Sequence, residues 1–264
     1  MKLTSFPIGI FDSGIGGTSI WKEIKTLLPN ENTIYLSDSK NAPYGEKSQQ
    51  KILDLSIKNT EFLLQEKCKL IVVACNTATT NAIKVLRERY AIPIIGIEPA
   101  IKPAALNTKT NNIGILATKG TLNSELFEKT ASTLAKEITI TETIGKGLVE
   151  LIENGKINSL EMKKLLSFYI TPMLKSQVDC LVLGCTHYPY LISRIRAIVG
   201  TKIQIIDSGE AVAKQTKAIL EKHKLLNLEA DIGRHQFYIN KNKRILEMLI
   251  SNTTDLIEIN EKDF

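Results

Sequence analysis

The sequence predicts an α/β protein built as two pseudo-symmetric, mainly parallel-sheet α/β domains with the active site between them. Three observations lead there. Short β-branched apolar runs alternate with amphipathic helical stretches, the rhythm of βα units around parallel strands. Segments separated by 105 to 111 residues repeat in order and character, the mark of an internal duplication. Hydrophobic residues make up 43 %, and 15 glycines in 264 residues bring the apolar share to about 49 %, an ordinary globular composition in a chain long enough for two compact cores.

The strands are expected at residues 8–11, 33–36, 70–74, 92–97, 113–116, 181–183 and 203–206. Each is a short apolar run followed by Gly or small polar residues. Residues 48–66, 81–90, 123–136, 159–176 and 210–224 carry apolar side chains at helical spacing with charge on the opposite face. In the repeat, Ile8-Gly9-Ile10-Phe11 is echoed by Ile113-Gly114-Ile115-Leu116, and Pro93-Ile94-Ile95-Gly96 by Gln204-Ile205-Ile206-Asp207. The run from Leu70 to Thr77, with Cys75 near its end, is echoed by the run from Cys180 to His187, with Cys185 near its end. A first domain over residues 1–98 and a second over 99–208 follow. The C-terminal segment 209–264, with a strand at 236–239 and a helix at 241–251, is expected to return to the first domain.

Lys plus Arg is 34 against 28 Asp plus Glu, a net charge of +6 that is scattered rather than striped, so no nucleic-acid groove is expected. Four cysteines without a C-x-x-C pair are too few for a disulfide scaffold and imply a reducing, cytoplasmic setting. The N-terminal apolar stretch is broken by Asp12 and lacks the continuous core of a secretory signal. No run approaches the ~20 apolar residues of a membrane span, so no membrane partner is expected.

Cys68 and Cys180 read as core residues. Cys75 and Cys185 differ, because each follows a strand and precedes hydroxyl and amide side chains. Both are expected at helix N-termini, where the dipole favours thiolate; for Cys75 the helix would begin near Asn81. Corresponding strand ends on facing domains would bring the two thiols towards one another, at the carboxyl ends where α/β sheets bind ligands. Two opposed thiols suit removal of a proton from one face of a carbon and delivery to the other. Asp12-Ser13-Gly14-Ile15-Gly16-Gly17 is a tight turn but not a dinucleotide fingerprint, and Asp12 would repel a pyrophosphate. Asp12 could instead receive an ammonium or take up a proton while Ser13 and the turn amides hold a carboxylate, or one of the two merely caps a helix. His187 can reach the cavity of Cys185. Cys75, Cys185 and His187 offer three metal ligands but no fourth at a diagnostic spacing, and no metal is expected. The turn-rich loop 38–45 suits either ligand contact or plain connection.

Taken together, residues 10–17, Pro43-Tyr44-Gly45, residues 74–78 and residues 183–189 resemble bacterial glutamate racemases of the aspartate/glutamate racemase superfamily, over nearly the whole chain from Ile8 to about Ala213. The resemblance implies a cofactor-independent isomerase interconverting L- and D-glutamate for peptidoglycan synthesis. Cys75 and Cys185 would be its acid/base pair, with Asp12, His187 and Glu153 assisting; Glu150 rivals Glu153. It implies substrate contacts at Asp12, Ser13, Pro43, Tyr44, Gly45, Asn76, Thr77, Thr118, Thr121, Thr186 and His187. Dimers are common in the family, and the sequence specifies no interface. Some members carry an N-terminal extension tied to activation by a peptidoglycan precursor; with Asp12 so early, this control is not expected. Thr79-Thr80 departs from the small residues members often have there. An aspartate racemase of the same plan and a non-catalytic amino-acid-binding or redox-sensing module are the alternatives, and His187 favours glutamate over aspartate.

Overall fold

The computed structural model describes residues 2–135, 137–250 and 256–264. The first half runs through β1 (Ile8–Asp12), α1 (Thr18–Leu27), β2 (Thr33–Ser37), α2 (Gln49–Gln65), β3 (Leu70–Val73), α3 (Asn76–Arg89), β4 (Ile94–Gly96) and α4 (Ile101–Asn107). It continues with β5 (Asn112–Ala117), α5 (Lys119–Leu122), α6 (Glu125–Leu134), β6 (Thr139–Ile144), α7 (Leu148–Glu153), α8 (Leu160–Lys175), β7 (Cys180–Gly184), α9 (Ile192–Val199) and β8 (Gln204–Ile206). The last elements are α10 (Gly209–Lys222), β9 (Arg234–Ile239), α11 (Lys243–Ile250) and β10 (Leu256–Glu261).

Two all-parallel sheets result, β10-β9-β2-β1-β3-β4 and β6-β5-β7-β8. The order β2-β1-β3-β4 is repeated by β6-β5-β7-β8, so β6 occupies in the second sheet the place of β2 in the first. No strand was expected at β6 or β10. Both are sheet edges whose burial is partial and irregular, and Thr139, Thr141, Glu142 and Thr143 give β6 no apolar run. The expected helix at 123–136 is α6, over Glu125–Leu134, preceded by the separate short α5, and its final Lys136 lies outside the described residues. Likewise the last residue expected of the 241–251 helix, Ser251, lies outside them.

Strand alternation divides the interior. Ile8 and Ile10 of β1 with Leu70 and Val72 of β3 face a core that continues through Leu116, Leu181 and Leu183 of the second sheet. Phe11, Ile71 and Val73 face α2 and α3. Ile113, Ile115 and Val182 pack on α4 and α6. Cys68 and Cys180 lie within the latter two cores, where burial pushes their thiols up, that of Cys180 to about 11. Because the first core spans both sheets, the carboxyl ends of β1, β3, β5 and β7 open onto a shared cleft. Among the described residues no helix is long and apolar enough to cross a membrane.

Candidate active site

The helix after β3 begins at Asn76, five residues earlier than expected. Its polar first turn is stable because its hydroxyls find partners: Thr79 Oγ1 donates to the Val73 carbonyl (3.2 Å) and accepts from the Ile97 N–H (3.1 Å). Cys75 thereby becomes the N-cap residue of α3. The Ala78 N–H donates to its Sγ (3.4 Å), and its Sγ donates to Ser13 Oγ (3.6 Å). Burial and the nearby Asp12 charge push the Cys75 thiol well above the ordinary thiol value, outweighing the Ala78 and Ser13 bonds.

Cys185 corrects the expectation of a second helix N-terminus. The chain turns through a Tyr188 N–H bond to the Cys185 carbonyl (3.0 Å) and a 3₁₀ turn over Tyr188–Leu191 before α9 begins. Lacking helix amides, Cys185 Sγ instead lies 3.8 Å from His187 Nδ1. His187 Nε2 lies 2.6 Å from Glu153 Oε1 at the end of α7. Burial opposes a charge on this imidazole, but the bonds to Cys185 and Glu153 outweigh it and hold its pKa well above the usual histidine value. In its charged form this imidazole donates from both nitrogens, to the Cys185 sulfur and to Glu153.

The turn after β1 also differs from expectation. Its amides hold the protein's own carboxylates: Gly14 and Gly17 donate to Asp12 Oδ2 (3.2 and 2.9 Å), and Ile15 donates to Glu153 Oε1 (2.7 Å). Two of its glycines permit this close approach. A Cβ on Gly14 would stand 2.0 Å from Glu153 Oε1, and one on Gly16 2.2 Å from His187 Nδ1. Ser39 Oγ completes the hold on Glu153 by donating to Oε2 (2.7 Å). Asp12 also accepts from Thr186 Oγ1 (3.3 Å); burial raises its pKa despite the His187 charge.

One small cavity is lined by Ser13, Pro43, Tyr44, Gly45, Cys75, Asn76, Thr77, Thr118, Cys185, Thr186 and His187. The same wall includes Val149, an apolar residue of α7 that no sequence signal picked out. Its free space is about 10 Å³, room for about one water. Three sequence candidates stand behind this wall. Asp12 supports Thr186, Glu153 supports His187, and Thr121 Oγ1 bonds Thr77 Oγ1 (3.3 Å) and Thr118 Oγ1 (3.0 Å). Glu150 lines neighbouring spaces and not this one. The Asn76 side chain is buried in the wall with neither amide atom hydrogen-bonded. Among the described residues no group of three His, Cys, Asp or Glu side chains is arranged to hold a metal ion.

A cleft between two like-ordered parallel sheets, with a cysteine after corresponding strands, defines the class. The family model described as Asp/Glu/Hydantoin racemase matches residues 8–216, and the chain belongs to that family. A glutamate racemase from Cupriavidus pinatubonensis is 42 % identical over 243 residues, 92 % of this chain and 89 % of that protein. Among solved structures, a glutamate racemase isoform from Bacillus anthracis superposes with TM-score 0.86 at 31 % identity, covering 97 % of each chain. One from Francisella tularensis, solved with D-glutamate, superposes with TM-score 0.83 at 29 % identity over 98 % of each chain.

Proposed function

We propose that this chain is a cofactor-independent isomerase that interconverts L- and D-glutamate with Cys75 and Cys185 as its two acid/base groups. The observation that carries this reading is that both thiols, from corresponding strand ends, line one cavity. In one direction the thiolate of one cysteine takes the α-proton, and the electron pair it leaves spreads into the α-carboxylate. The thiol of the other cysteine then protonates the opposite face. The product is the enantiomer, with one thiol gained and one lost, so protons and charge balance.

The supporting groups fit a zwitterion. Asn76 offers an N–H to a carboxylate and an oxygen to an ammonium, relieving about 1–3 kcal/mol for each buried group otherwise left unpaired. The Thr77, Thr118 and Thr121 hydroxyls form a cluster that reaches the cavity through Thr77 and Thr118. On the Cys185 side, His187 Nδ1 faces the sulfur and can pass a proton to or from it. On the Cys75 side, Ser13 receives the S–H and Asp12 stands close by. Glutamate is several times larger than that free space. The domains, residues 1–98 completed by 209–264 and residues 99–208, must therefore part to admit it. We place the enzyme in the cytoplasm, supplying D-glutamate for peptidoglycan; a homodimer would appear in sedimentation analysis.

Proton NMR of the protein with L-glutamate in D₂O, with a chelator and no added cofactor, tests the reading. Loss of the α-proton signal with appearance of D-glutamate is the expected result. No exchange with glutamate but exchange with aspartate would transfer the activity to aspartate, and no exchange with either would overturn it.

A further inference from the structure

The loop that brings Pro43, Tyr44 and Gly45 to the cavity is held from behind by the far end of the chain. Asn240, the residue after β9, donates Nδ2–H to Asp38 Oδ1 (2.6 Å) and accepts the Lys40 N–H at Oδ1 (2.8 Å). Its own N–H donates to the Ser37 carbonyl (3.3 Å). Asp38 is fully buried and gathers the rest of the loop, accepting from Asn41 Nδ2 (2.8 Å) and from the Tyr44 hydroxyl (2.5 Å). Asn59 Nδ2 donates to that same hydroxyl (3.1 Å). The Tyr44 hydroxyl is thus engaged within the protein. Lys40 Nζ pairs with Asp263 (3.0 Å), a second tie to the C-terminal segment. The family model ends at residue 216, so both ties lie beyond the part of the chain it describes.

We infer that Asn240 is a positioning residue that sets the 38–45 loop against the substrate, making the C-terminal segment part of the active-site geometry. This rests on the glutamate reading of the site. Asn240 does not line the cavity, so its effect passes through Asp38 and Tyr44. One amide bridging a backbone N–H and a buried carboxylate matches both partners at once, whereas alanine matches neither and leaves Asp38 with fewer donors.

The test compares Asn240→Ala and Asn240→Asp with the wild-type chain. Asn240→Ala is expected to raise KM for glutamate about tenfold, with kcat changed by less than about threefold. Amide hydrogen exchange over residues 38–46 should rise in the same variant, a readout independent of which amino acid is the substrate. Asn240→Asp keeps the acceptor for Lys40 but sets a carboxyl against Asp38; Lys58 Nζ lies 3.9 Å from Asp38 Oδ1, Lys40 pairs with Asp263, Lys241 follows in the chain, and Glu261 and Lys262 lie beside Ile239. Protonated, the new carboxyl donates to Asp38; ionised, it repels it. The KM ratio of this variant to wild type should therefore climb with pH. Unchanged exchange at 38–46 or a KM within twofold of wild type in Asn240→Ala would overturn the inference. So would a pH-independent KM ratio in Asn240→Asp. A wild-type chain without glutamate turnover would instead sink the functional reading, while the exchange result would still decide the loop.

Discussion

The two cysteines end corresponding strands of two sheets with the same strand order, yet they are supported by different chemistry. Cys75 caps a 14-residue helix, and its partners Ser13, Ala78 and Asp12 all belong to the side of the first sheet. Cys185 has no helix behind it and relies on His187, which relies on Glu153, which is gripped by Ile15 and Ser39 from the opposite side of the cleft. Duplication of a backbone therefore did not duplicate the proton machinery. The Cys75 set is complete within one half of the molecule, whereas the Cys185 relay, itself within the other half, has its terminal carboxylate fixed by Ile15 and Ser39 only when the halves meet. Opening the cleft releases Glu153 from Ile15 and Ser39 and Asp12 from Thr186, and leaves the Ser13 and Ala78 bonds to Cys75 in place.

Substituting either thiol breaks the comparison outright. Cys75→Ala and Cys185→Ala should each lower racemisation at least about a thousandfold while leaving the fold intact by circular dichroism. More than a few per cent residual turnover would count against two acid/base groups. Gly16→Ala acts on one side only. Its Cβ would press on His187 Nδ1, and displacing that imidazole should cost about a hundredfold in kcat/KM.

Glu153→Gln should cost about tenfold in kcat/KM, whereas Glu150→Gln should leave it unchanged. With the carboxylate gone the His187 pKa falls, so the alkaline decline of activity should begin at lower pH. Stability follows the same sign. A histidine whose pKa is raised on folding stabilises fully below its unfolded value of about 6.5 and loses that contribution as pH rises through the raised value. The Tm difference between wild type and Glu153→Gln should therefore be larger at acid than at alkaline pH. A constant difference would mean that the bond holds no charge.

Much of this was legible before the fold. The apolar runs of β1, β3, β5 and β7 are buried on both faces and announce themselves. β6 is an edge rich in threonine and escaped notice, although its counterpart β2 reads as a strand and the repeat implies it. The two thiols were visible because the repeat aligns them. Their unequal support was not, since it depends on Glu153 meeting His187 across 34 residues and Ile15 across 138. The glycines of the first turn signalled close approach, but not that protein carboxylates would be what approached. Asn240 gave no signal at all, because its partners lie about 200 residues away in sequence.

The most direct test of unequal support is the primary α-deuterium isotope effect on kcat/KM in Glu153→Gln, measured with each enantiomer of glutamate. If Glu153 serves only Cys185, the effect should rise for the enantiomer that Cys185 deprotonates, because that step becomes slower. It should fall for the other enantiomer, where Cys185 is the donor and the later protonation becomes limiting. The same change for both enantiomers would contradict a relay that belongs to one thiol.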